Sequence, residues 1–146
     1  MTREEGPIIL EYPINVSLEQ LWSALVELEE MLQWYFDNIP DFRAVVGFQT
    51  QFLITNEGRN FTHLWEVMRV VPQAEISYSW RYAEYPGKSI LTFSLLPAQQ
   101  QVKLKVVVDV VEDFPQDIPE FKRESCIGGW NYFIGERLTG YLSTST

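Results

Sequence analysis

Between Phe42 and Asp113 apolar residues recur at every second position, and the interruptions are too short for anything but hairpins. Strands are read at Ala44–Thr55, Phe61–Val71, Glu75–Tyr82, Lys88–Leu96 and Gln101–Glu112. Asn56-Glu57-Gly58, Val71-Pro72-Gln73, Tyr85-Pro86-Gly87 and Pro97-Ala98-Gln99 separate them. Breaks of that length join antiparallel neighbours, so the five strands form a meander. The last strand alternates most cleanly: Val102, Leu104, Val106, Val108 and Val110 point one way, and Lys103, Lys105 and Asp109 the other. Such a sheet has one wet face and one covered face, and the covered face needs a partner layer.

That partner is predicted to be Ile118–Leu142. At ~100° per residue, Cys126, Trp130, Phe133, Ile134, Leu138, Tyr141 and Leu142 fall on one broad arc, with Asn131, Glu136 and Thr139 largely opposite. Pro119 suits the first turn of this helix. Upstream, Ile8–Ile14 reads as a first strand. Ser17-Leu18-Glu19-Gln20 is a capping box that starts a helix with Leu18, Leu21, Trp22 and Leu25 on one face. A second helical piece runs from Glu27 towards Tyr35 and stops before Asp37-Asn38-Ile39-Pro40-Asp41. The expected architecture is α+β, a helix-grip fold. A six-stranded curved antiparallel sheet carries two short helices after its first strand, and one long C-terminal helix lies across it. Residues 1–146 form a single domain, within the size at which one core suffices.

Net charge is −9, which argues against nucleic acid and against anionic membrane surfaces as partners. No apolar run reaches the ~18 residues of a membrane span, and Met1–Pro7 lacks the apolar core of a signal peptide. One cysteine forms no internal disulfide, so a reduced, cytoplasmic setting is expected. The single His and single Cys make no zinc site. No phosphate loop, Ser-His-Asp set or dinucleotide fingerprint occurs, so neither metal nor cofactor is expected. Glu27, Glu29 and Glu30 read as a solvated face.

Several stretches resemble the START-like (SRPBCC) superfamily, in chain order. Ser17–Leu25 looks like the segment after its first strand, and Gln33-Trp34-Tyr35-Phe36 like the Trp-Phe that ends its second helix. Val46-Gly47 is similar to the glycine opening its second strand. Trp65–Pro72 followed by Ser77-Tyr78-Ser79-Trp80 resembles its third and fourth strands, and Gly128-Gly129-Trp130 the Gly-Trp of its last helix. Together they point to the branch homologous to the activator of the heat-shock-protein-90 ATPase. Two departures stand out: Phe48, where a second glycine is common, and Arg137, where an apolar residue is usual. The superfamily spans carriers, cyclases and stress proteins, so the resemblance implies a fold more than an activity.

If the alternation holds, Trp34, Phe36, Phe52, Tyr78, Trp80, Phe93, Trp130 and Phe133 converge on the concave side. They either fill the core outright or line an apolar pocket. His63 and Glu66 lie on opposite faces of their strand, so at most one faces inward. The pattern is mixed, with Phe61, Trp65 and Val67 as one apolar set and Leu64, Met68 and Val70 as the other. The resemblance favours the second set, placing Met68 and Glu66 inside. Glu66 would then be a hydrogen-bond anchor or acid with a raised pKa, or else a carboxylate paired to Arg69 or Arg81. Arg137 sits on the apolar arc and either snorkels out or pairs with Glu66 or an anionic ligand. Cys126 reads as inert packing.

The expected function is binding of a small hydrophobic or amphipathic molecule between sheet and C-terminal helix, without catalysis, by a monomer or homodimer. The alternatives are a chaperone-associated interaction module and a cyclase- or hydrolase-like enzyme using Glu66 and Tyr78.

Overall fold

The computed structural model describes residues 1–144. Six strands form one antiparallel sheet: β1 (Ile8–Ile14), β2 (Gln49–Asn56), β3 (Arg59–Val71), β4 (Glu75–Tyr82), β5 (Tyr85–Ala98) and β6 (Gln101–Glu112). Their spatial order is β1-β6-β5-β4-β3-β2, a five-strand meander with the first strand returned to its far edge. Helices α1 (Leu18–Val26) and α2 (Leu28–Trp34) fill the gap between β1 and β2. The capping box forms as read: the Gln20 amide donates to the Ser17 hydroxyl at 3.1 Å, and the Ser17 amide to the Gln20 side chain at 3.1 Å. Residue Glu27, extended at φ −87°, ψ 123°, ends α1 and caps α2.

Several strand boundaries differ from expectation, chiefly at the start of β2 and at both ends of β5. The second strand starts at Gln49 rather than Ala44, because Gly47 takes φ +92° and breaks the extended run. Its amide donates to the Val67 carbonyl at 2.8 Å, which pins the turn against β3. Tyr85-Pro86-Gly87 lies inside β5, since Tyr82 pairs directly with Tyr85 and only Ala83-Glu84 makes the turn. Gly87 has φ +115°, and a Cβ there would stand 2.4 Å from the Phe114 ring. Likewise Pro97 and Ala98 stay in β5, paired to Val102 and Gln101.

The predicted long helix is three segments behind a 3-10 turn at Pro119–Phe121: α3 (Arg123–Trp130), a π-helical stretch (Asn131–Leu138) and α4 (Thr139–Thr144). The sequence gives the reason. Trp130, Ile134, Leu138 and Leu142, all buried, repeat every four residues. In a pure α-helix a four-residue step drifts by about 40°, so the stripe would rotate off the sheet. The wider i→i+5 turn drifts the other way, and inserting it keeps the four side chains over the core. The Thr139 hydroxyl donates to the Ile134 carbonyl at 2.8 Å, bonding across the wide turn.

Inward residues of β6 are Val102, Leu104, Val106, Val108 and Val110, all buried. Two hydrophobic clusters share the space above the sheet. The larger gathers Trp34, Tyr35, Trp65, Tyr78, Phe93 and Trp130 with the helices; the smaller joins Phe61, Val110, Phe114 and Phe121.

Candidate functional site

The space between those two clusters is hollow. A cavity of about 420 Å³ lies under α3 and the π segment, within the range typical of small-molecule sites. Phe36, Trp80, Trp130 and Phe133 form one side; Phe61, Tyr82, Phe114 and Phe121 form the other. Ile54, Leu91 and Val108 complete the apolar wall, and Thr55, Asn56 and Ser125 mark an exposed rim.

Of the eight aromatic residues expected to converge, all face the concave side, but only Phe36, Trp80, Trp130 and Phe133 reach the cavity. Trp34, Phe52, Tyr78 and Phe93 are buried behind it. Trp34 stacks on Tyr35 with ring centroids 4.4 Å apart, and its Nε1–H donates to the Ala24 carbonyl at 2.7 Å, which ties α2 to α1. The Tyr35 and Tyr78 hydroxyls bond each other at 3.0 Å inside the core, and burial pushes both phenols up. Among the described residues one side-chain nitrogen or oxygen sealed from both solvent and cavity finds no partner: Trp65 Nε1.

Three expected site residues lie elsewhere. Glu66 and Met68 are exposed on the outer face, because Phe61, His63, Trp65 and Val67 are the inward set of β3. A bulge between Val67 and Arg69 explains the mixed sequence pattern. Before it odd-numbered residues face in; after it Val70 pairs with buried Ile76. The Gln49 side chain donates to the Glu66 carboxylate at 3.3 Å in a polar groove, on the face of the sheet opposite buried Tyr78. A Glu66–Tyr78 catalytic pair is therefore absent. Arg137 turns outward and donates to the Gln33 carbonyl at 3.0 Å, satisfying the C-terminal end of α2 rather than meeting Glu66.

His63 is the residue that takes Glu66's place. It is 4% exposed and lies on the cavity wall, stacked on Phe52 at 4.9 Å and 15° and edged by Phe36, Trp80 and Tyr82. Its Nδ1 sits 2.9 Å from the Phe61 carbonyl; a carbonyl only accepts, so Nδ1 carries the ring proton. Desolvation lowers its pKa to about 4, and the ring is neutral at pH 7. Directly across the strand pair, Tyr82 accepts from Trp80 Nε1–H at 2.8 Å. Ser89 and Cys126 add a hydroxyl and a thiol to the wall. Burial pushes the Cys126 thiol up to about 11, offset in part by a hydrogen bond with Trp130. At the rim, Glu120 takes a two-pronged bond from Arg59, 2.8 Å on each prong, and a third from Asn56 at 2.7 Å. Those bonds, the Arg59 pair first, hold its carboxyl below the usual range. The sequence offered His63 and Glu66 as alternatives and the resemblance favoured Glu66, the wrong one of the two; Tyr82 and the Phe61–Phe114–Phe121 wall were not foreseen. The signal available was the Phe61-x-His63-x-Trp65-x-Val67 alternation, uninterrupted up to the bulge.

A six-stranded curved sheet gripped by a terminal helix over an aromatic cavity defines a START-like helix-grip protein. Residues 15–143 match the model of the family described as Activator of Hsp90 ATPase homolog 1-like protein, and the chain belongs to that family. No curated protein matches the sequence. Among solved structures, protein MLL2253 from Mesorhizobium loti is 25% identical, covering 96% of this chain and 98% of its own, with a TM-score of 0.77. DynU16, from the dynemicin biosynthetic locus, is 18% identical with a TM-score of 0.75 and covers 97% of this chain; this chain spans 48% of DynU16. The Aha1 dimer from Colwellia psychrerythraea is 16% identical, covers 88% of this chain and 90% of its own, and has a TM-score of 0.65. Among the described residues no helix is long and apolar enough to cross a membrane.

Proposed function

We propose that this chain binds a small apolar or amphipathic molecule, without catalysis, in the cavity between sheet and terminal helix, and does so in the cytoplasm as a monomer or homodimer. The observation that carries the reading is the hollow itself: about 420 Å³ left unfilled between two packed aromatic clusters. Unfilled apolar volume forfeits dispersion contacts, so a molecule that restores them binds favourably. The two groups on the wall with reactive potential rest in unreactive forms, His63 as a weak base and Cys126 as a protonated thiol. Thermal denaturation against a panel of small aromatic and fatty molecules tests it. Ligands of fitting size raise the midpoint in a saturable way, as mass action requires. No shift with any member would defeat the proposal.

A second reading, as a chaperone-associated module, draws on one surface feature beside the family's name. Val45 and Val46, in the turn before β2, and Met68 on β3 are 60%, 63% and 46% exposed and are chain neighbours of the Gly47–Val67 hydrogen bond. Stimulation of a heat-shock-protein-90 ATPase, lost in Val46→Asp/Met68→Asp, is the outcome that favours it.

A further inference from the structure

The polar groups of the cavity form an unfinished hydrogen-bond set, and its chemistry specifies the missing partner. With Nδ1–H committed to the Phe61 carbonyl, His63 keeps an Nε2 lone pair that meets no donor among the described residues. Tyr82 accepts from Trp80, so its own O–H proton likewise has no acceptor among them. The two rings meet edge to face across β3 and β4, with centroids 4.9 Å apart and planes at 78°. Both residues line the same cavity, so one free acceptor and one free donor share a mostly apolar wall, to which Ser89 and Cys126 add a hydroxyl and a thiol. A hydroxyl is the smallest group that satisfies both, donating to the nitrogen and accepting from the phenol.

Charge narrows the class. Glu120 is already paired with Arg59 and held by Asn56, and the Met1 ammonium is paired with Glu5 at 3.8 Å while it donates to the Phe121 carbonyl, so both charges at the cavity are answered within the chain. An ionic ligand would enter without a counter-charge and bear the full desolvation cost. Shape narrows it again, because Phe36, Trp80, Trp130, Phe133 and Phe61 present ring faces and edges on both sides.

Resting on the cavity reading above, we propose that the site selects a neutral, flat aromatic molecule bearing a hydroxyl, anchored by His63 Nε2 and the Tyr82 hydroxyl. Calorimetric titration with 2-naphthol, 2-methoxynaphthalene and naphthalene tests this, in the wild type and in His63→Phe. The wild type prefers 2-naphthol over both others by about tenfold, the worth of one well-made hydrogen bond. In His63→Phe that preference collapses to within about twofold, while naphthalene binds as before. Equal affinities for the three in the wild type overturn the hydroxyl anchor and leave the cavity proposal standing. A preference that survives in His63→Phe overturns the role of His63. Absence of binding by all three overturns both proposals. Should His63→Phe fail to fold, the wild-type ranking decides alone.

Discussion

Tyr35 and Tyr78, 1% and 0% exposed, share one hydrogen bond inside the core. Tyr35→Phe strands the Tyr78 hydroxyl and is expected to cost about 1–3 kcal/mol. Removing both hydroxyls costs less than the sum of the single changes, since neither is then left unpaired. A denaturant double-mutant cycle measures the difference. His63 gives a pH signature. Its folded pKa, about 4, lies below the unfolded value of roughly 6.5. The unfolded chain binds the extra proton first, so the stability His63 permits is complete above pH ~6.5 and is lost as pH falls towards 4. The full loss is about 3 kcal/mol. Glu84, whose carboxylate is bonded by Thr62, and the phenol of Tyr82 are the other titratable groups facing the ring. His63→Gln keeps those groups and removes the titration. The wild type should therefore lose stability relative to His63→Gln across that window. Parallel pH curves for the two proteins would contradict it.

Among the elements, the terminal helix and β5 each depend on a glycine in an opposite sense. Gly87→Ala drives a Cβ into Phe114 from a left-handed backbone, and a loss of at least about 2 kcal/mol is expected in urea unfolding. Gly129 is helical, lines the cavity, and has open space where a Cβ would go. Gly129→Leu should raise stability by about 0.5–1 kcal/mol through helix propensity while it weakens ligand binding by filling the hollow. Stability and binding moving together would argue against the placement. Arg137→Leu removes the bond to the Gln33 carbonyl, which costs roughly 0.3–1 kcal/mol and leaves ligand uptake unchanged. What could be read from the chain at this scale was element type. The Ser17–Gln20 box and the Val102–Val110 alternation are local signals, and both formed as written. The π segment was hidden because a four-residue apolar repeat also fits a broad α-helical arc. The bulge at Met68 was hidden because it mixes two strand faces into one pattern.

Across the whole molecule, function depends on a volume that no single segment encodes. Phe114 and Phe121 come from the linker and its 3-10 turn, Phe61 and His63 from β3, and Trp130 and Phe133 from the terminal helix. Their meeting follows from the sheet's curl, so four of the eight expected aromatics reach the cavity while the others became core. Methyl NMR tests this arrangement most directly. With 2-naphthol titrated into the protein, the account predicts saturable shifts at Ile54, Leu91 and Val108, which line the cavity, and unmoved signals at exposed Val45, Val46 and Leu53. Shifts confined to Val45, Val46 and Leu53, or none at the cavity methyls, would contradict it.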